Sequence, residues 1–183
     1  MISVFVAGSR ALSRLNPQLR ERLDNIIRQS FTVLVGDANG ADKAVQTYLA
    51  QRAYHHVTVY CMEVCRNNVG GWPIRPHKAD PDARRDRQYY GIKDSAMAKD
   101  ATCGFMLWDG LSKGTLTNVI NLLEADKKVV LYISTKKQFF NLTSFEHFHK
   151  ALNANGIKDI SGYLYSLGIK EPASQHLPFA TLG

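Results

Sequence analysis

The hydrophobic patterning of this chain points to an α/β architecture: a doubly wound parallel sheet of about five strands with a small C-terminal helical extension. Two observations carry that reading. Short, nearly continuous apolar runs recur at Ile2 to Ala7, Phe31 to Val35, His56 to Tyr60, Cys103 to Trp108 and Lys128 to Ile133. Runs of this kind suit strands covered on both faces. Amphipathic helical patterns separate most of them, and right-handed crossovers between parallel strands leave few other topologies.

The first run ends at Gly8-Ser9-Arg10. Asn16 then offers an N-cap and Pro17 a first helical residue, with Leu19, Leu23, Ile26 and Ile27 on one face. The second run closes in Gly36-Asp37-Ala38-Asn39-Gly40-Ala41-Asp42, ahead of a helix with Ala44, Val45, Tyr48 and Leu49 inward. After the third run the pattern dissolves between Cys61 and Ala83 into a loop holding Gly70, Gly71, Pro73, Pro76 and Pro81. Loops of that length inside a compact domain are often functional. A helix from about Arg84 to Lys99 leads into the fourth run. Leu116, Val119, Ile120 and Leu123 then mark the next helix, and Lys128 to Ile133 is the fifth strand.

Residues 1–134 form the sheet domain on this reading, and 135–183 an extension packed on it. Phe145, Phe148 and Leu152 predict one helix there, Ile160, Leu164 and Leu167 a short second, and the tail from Glu171 reads as irregular. With strand order 3-2-1-4-5 the chain reverses direction between the first and fourth strands. A crevice then opens at their carboxyl ends, where the loops at Gly8, Gly36 and Asp109 converge.

At 183 residues, 45% of them hydrophobic, the chain can bury a core without disulfides or metals. No apolar run approaches the roughly 20 residues of a membrane span, and the initial MISVFV is too short for a signal peptide. Cys61, Cys65 and Cys103 are odd in number and show no CxxC pair. A cytoplasmic protein with reduced thiols, no metal site and no required cofactor is the expectation. The formal charge of +7 favours anionic partners, though the densest basic cluster, Arg84, Arg85 and Arg87, is interrupted by Asp86.

The segment from Cys103 to Leu123 is the strongest candidate site. Ser112, Gly114 and Thr115, with Lys113, place hydroxyls and free backbone N–H groups at a helix start, where the dipole favours a phosphate or carboxylate. Gly8 lets a backbone approach a ligand, while Ser9 and Arg10 can donate to a phosphate. Gly36 and Gly40 permit a tight path, and Asp42 either caps its helix or accepts from a ribose hydroxyl. Trp108 either stacks a base or closes the core. Of Tyr89 and Tyr90, one can line the crevice while the other packs on the helix face.

Together VAGSR at 6–10, VGDANGADKAV at 35–45, RRDRQ at 84–88 and WDGLSKGT at 108–115 resemble the SLOG superfamily. The similarity is closest to its branch of small bacterial and phage proteins related to YpsA and YspA. The resemblance implies a Rossmann-like sheet with a pocket for nucleotide-derived ligands, such as ADP-ribose, an NAD derivative or a nucleoside monophosphate. It relates the chain to the Lonely Guy phosphoribohydrolases and, more distantly, to nucleoside deoxyribosyltransferases, which cleave N-glycosidic bonds. Those enzymes use a carboxylate in a GTxxE pattern, and Asn118 stands at the corresponding position here. An amide can hold a ribose hydroxyl but cannot act as a general base. Asp109 or Asp37 can stand in for the missing carboxylate. The branch also tends to carry an Arg-Asn pair where this chain has Arg85-Asp86.

The resulting candidates are Asp109 and Asn118 as catalytic groups, with Gly8, Ser9, Arg10, Gly36, Asp37, Gly40, Asp42, Arg85, Trp108, Ser112, Lys113, Gly114 and Thr115 on the ligand. The expected function is binding, with or without processing, of a nucleotide-derived ligand. N-glycosidic hydrolysis or ribosyl transfer is the enzymatic alternative. A single-stranded nucleic-acid-binding module is the rival from another class, because the DNA-processing protein DprA resembles the same superfamily. No membrane partner is expected, and residues 135–183 are the candidate surface for a second copy.

Overall fold

Alternation along the first strand sets the architecture: Val4 and Val6 face one side of a central sheet, Phe5 and Ala7 the other, and all four are buried. The structure, a computed structural model, describes residues 1–80 and 82–169. Its elements run β1 (Ser3–Gly8), α1 (Pro17–Arg28), β2 (Thr32–Gly36), α2 (Ala41–Gln51), β3 (Val57–Met62), β4 (Ile74–His77), α3 (Arg87–Asp100), β5 (Cys103–Trp108), α4 (Lys113–Glu124), β6 (Val129–Ile133), β7 (Gln138–Leu142), α5 (Phe145–Ala154) and α6 (Ile160–Ser166). The strands form one seven-stranded sheet in the order β4-β3-β2-β1-β5-β6-β7, parallel except for β7, which is antiparallel to β6.

The five inner strands stand in the order read from the sequence, and the doubly wound α/β fold is as expected. The sheet is wider than expected by one strand at each edge. β4 lies inside the stretch read as loop; it is four residues long, mostly exposed and carries Pro76. Its weak pattern is what an edge strand permits, since proline is tolerated there and only one side needs a partner. β7 follows a turn in which Lys137 takes a φ of 52°, so the C-terminal extension starts with a strand before its two helices. α3 starts at Arg87 instead of Arg84, because the Asp86 carboxylate accepts from the amides of Gln88 and Tyr89 and caps the helix there.

Helices α1 and α2 cover one face of the sheet; α3, α4, α5 and α6 cover the other. The second layer holds most of the largest wholly buried side chains, including Trp108, Phe5, Phe148 and Leu116, while Tyr132 belongs to the first. Burying an aliphatic or Phe side chain of this kind contributes roughly 1.5–3 kcal/mol. The expected irregular tail from Glu171 lies outside the described residues. Among those residues, no helix is long and apolar enough to cross a membrane.

Candidate functional site

The reversal of chain direction falls between β1 and β5, which pair with Gly8 opposite Leu107. At their carboxyl ends opens a crevice of about 610 Å³. Gly8 stands at its base, where an added Cβ would fall 2.5 Å from the Leu107 carbonyl oxygen and 2.9 Å from the Ala41 side chain. Glycine is therefore required by the close packing of two strands and a helix.

The next residue ties two loops together. The Ser9 hydroxyl donates to Asp109 Oδ2 at 2.6 Å and accepts from the Ala11 amide at 3.1 Å. Asp109 Oδ1 accepts from the amides of Leu111 (3.0 Å) and Ser112 (2.7 Å). Burial pushes this carboxyl up, but the Ser9 hydroxyl and the loop amides outweigh it and hold Asp109 below the usual carboxylate range. Asp109 lines the crevice with both oxygens already engaged.

α4 begins beside it. Ser112 is the N-cap, its hydroxyl accepting from the Thr115 amide and the Thr115 hydroxyl. Ahead of Thr115, the amides of Lys113 and Gly114 lie before the first intrahelical bond. An added Cβ on Gly114 would meet nothing within 4 Å, so its face is open to the crevice. One turn on, Asn118 is only 5% exposed and lines the same space. Its side-chain amide has no hydrogen-bond partner among the described residues.

The opposite wall is formed by α3 and the start of α2. Asp42 is buried, and a single amide, Ala38 N–H at 3.2 Å, donates to its carboxylate. Burial, opposed by Lys93 and reinforced by Asp94 and Asp37, pushes it up to about 6. Lys93 is 3% exposed and donates to Asp94 Oδ1 at 2.6 Å. Burial pulls this ammonium down, yet Asp94 and Asp42 more than compensate and its pKa lies above the ordinary lysine value. Asp42 and Lys93 both approach Gly36, where a Cβ would fall 2.4 Å from Asp42 Oδ2 and 2.9 Å from Lys93 Nζ.

The structure brings Gly8, Ser9, Arg10, Asp42, Arg85, Asp109, Ser112, Gly114, Thr115 and Asn118 to one crevice. It places the other candidates elsewhere. Trp108 is wholly buried in the core and donates its indole N–H to the Ser112 carbonyl. The Lys113 ammonium lies near Gly168, 3.3 Å from where a Cβ there would stand. Gly40, with φ +83°, lets the α2 start pack against the Arg10 backbone. Asp37, 1% exposed, is bound by the Arg66 guanidinium at 2.6 and 3.0 Å and by the Arg66 amide. Burial pushes Asp37 up, but those contacts hold it below the usual range. The pair anchors the loop after β3, and only its Arg66 member lines the crevice.

The lining also includes Arg66, Lys93 and Asp94, which the sequence reading did not single out, and of Tyr89 and Tyr90 it is Tyr90 that faces the crevice. The Arg66 guanidinium sits 4.4 Å over the Tyr90 ring, and that of Arg10 5.6 Å from the same ring. A signal for Lys93 exists in the sequence. Tyr89, Lys93 and Met97 recur every four residues and are all buried, so a lysine stands in the middle of an inward stripe. Among the described residues, no group of three or more His, Cys, Asp or Glu side chains could hold a metal.

No family model matches the chain, and no curated protein matches it at a significant level. Among solved structures it is similar to DNA processing protein A from Helicobacter pylori, a structure concerned with that protein's single-stranded DNA binding mode. The match has a TM-score of 0.57 and covers 91% of this chain and 80% of the other, at 13% identity. At that identity the likeness is one of fold: a mostly parallel, Rossmann-like sheet interleaved with helices.

Proposed function

We propose that the crevice binds a phosphorylated nucleotide ligand, of the class that includes ADP-ribose, NAD derivatives and nucleoside monophosphates. One observation carries the reading: Asn118, buried, without a protein partner, and one turn inside a helix start that is open at Gly114. Asn118 is buried as a residue, yet its amide is open to the crevice and free of protein partners, so it can donate to and accept from a ligand there. Arg10, Arg85 and Arg87 at the same crevice, with the free amides of Lys113 and Gly114, suit a phosphate. Asn118 and the Asp42 carboxylate suit the hydroxyls of a ribose.

A thermal-shift screen against NAD, ADP-ribose, AMP and dAMP, read in parallel by mass spectrometry, tests this. A ligand at 100 times its Kd stabilises by about 2.7 kcal/mol. The reading fails if none of the four raises the melting temperature of the wild type. Mass spectrometry also reports any released base, the product of N-glycosidic cleavage. In that enzymatic version Asp42 is the better proton carrier, because its pKa of about 6 lies near neutrality while Asp109 is held ionised.

A second reading, single-stranded nucleic-acid binding, is favoured by the fold likeness to a protein with a single-stranded DNA binding mode and by the net charge of +7. The two readings share the crevice and differ in what extends beyond it.

A further inference from the structure

The segments that wall the crevice, residues 9–15 and 38–44, also line a second hollow of about 440 Å³. Leu15 and Tyr48 form its apolar floor. Around it stand Arg14, Arg20 and Lys43, all exposed, and no acidic side chain lines it. None of the three cations pairs with any described residue. Asp24, which the Tyr48 hydroxyl of the floor reaches, is also held by Arg52.

The position of two of these cations is informative. Arg20 lies in the first turn of α1, which has no acidic residue there, and Lys43 in the first turn of α2. The helix dipole is positive at those ends and disfavours a cation. The one acid in the first turn of α2, Asp42, lines the crevice instead. Three unpaired cations and the start of α2, which has no side-chain cap, thus border one hollow, an arrangement that self-repulsion opposes and an anion relieves.

The two hollows are neighbours. Gly40 lines the second, and its backbone packs so tightly on Arg10 that a Cβ would fall 2.3 Å from the Arg10 carbonyl oxygen, while Arg10 itself lines the crevice. A nucleoside monophosphate carries its charge at one end and fills one hollow; a phosphodiester strand carries a charge on every residue and can engage both. We propose that the hollow of Arg14, Arg20 and Lys43 holds backbone phosphates of a single-stranded nucleic acid, one nucleotide of which occupies the crevice. This rests on the nucleotide reading of the crevice. A single strand is specified because the crevice admits a nucleotide only when its base is released from a partner strand.

The test uses the full chain and a fluorescent oligothymidylate of about 20 nucleotides, followed by anisotropy over a salt series. Affinity should fall as salt rises. The triple variant Arg14→Gln, Arg20→Gln, Lys43→Gln should bind at least about tenfold more weakly at low salt, with a log-log salt slope shallower by about 2, since each single-strand phosphate contact contributes about 0.7. AMP should shift the melting temperature of wild type and variant equally, which also shows that the variant is folded. An unchanged affinity and slope in the variant overturns the proposal, as does equal competition by a duplex of the same length. It is also overturned if AMP binds the wild type and the oligonucleotide does not. The crevice reading fails separately, if NAD, ADP-ribose, AMP and dAMP all leave wild-type melting unchanged.

Discussion

Asp109 and Asp42 line one crevice and are the same chemical group, yet their surroundings drive them in opposite directions. Asp109 closes a tight turn whose amides converge on it, and Ser9 adds a hydroxyl from the neighbouring strand end. Asp42 stands in the first turn of a helix, receives one amide, and has burial as its dominant influence. The difference teaches that the supply of donors decides which carboxylate stays ionised. It separates a carboxylate that braces two loops from one that can change charge near neutrality.

The largest expected effect comes from removing the cation between Asp42 and Asp94. Lys93→Met leaves a buried carboxylate uncompensated and should cost about 3–5 kcal/mol at neutral pH. Urea unfolding checks it, and the deficit should shrink as the pH falls and Asp42 takes up a proton. A deficit that does not depend on pH would mean that Asp42 is not the group Lys93 serves.

A smaller effect separates the two carboxylates by pH. Asp42 is raised from 3.8 to about 6, so its folded state binds a proton more tightly than its unfolded state. Its stabilising contribution is present below about pH 4 and is lost as the pH rises through about 6, by on the order of 3 kcal/mol at most at 1.36 kcal/mol per unit. Asp42→Asn should flatten that fall. Asp109 is lowered, so its contribution is present above its unfolded pKa and is lost as the pH falls through the lower folded value. Asp109→Asn should cost about 1–3 kcal/mol at neutral pH and remove the loss on the acid side. Unfolding midpoints of both variants across the acid range would collapse the comparison if they moved together.

The legible part of the molecule was the part whose chemistry is local. The five inner strands announce themselves as apolar runs, and Ser112, Gly114 and Thr115 announce a helix start within four residues. The edges did not. β4 is exposed and contains Pro76, and β7 is short and only partly buried, so neither carries a periodicity that distinguishes it from loop. The crevice divides along the same line. Ser9 and Asp109 were candidates because each sits in a small-residue turn, although their bond spans 100 residues of sequence. Arg66 was missed because its meaning lies wholly in Asp37, 29 residues away, and in Tyr90. Trp108 shows the converse. A large aromatic at a strand end looks the same in sequence whether it meets a base or a neighbouring carbonyl, and packing sent it to the Ser112 carbonyl.

The smallest expected effect on stability is the most direct test of which wall a ligand touches. Gly114→Ala adds a methyl group where nothing lies within 4 Å, so the fold has no reason to resist it. Replacing glycine in a helix at a compatible backbone position stabilises by about 0.4–1 kcal/mol, chiefly by restricting the unfolded chain. The melting temperature should therefore hold or rise. The same methyl group projects into the crevice beside the free amides of α4, where a phosphate would have to approach. AMP affinity should fall at least about tenfold, equivalent to about 1.4 kcal/mol. If affinity is kept while stability rises, the ligand does not reach the α4 start, and the wall of Asp42 and Lys93 would have to hold it alone.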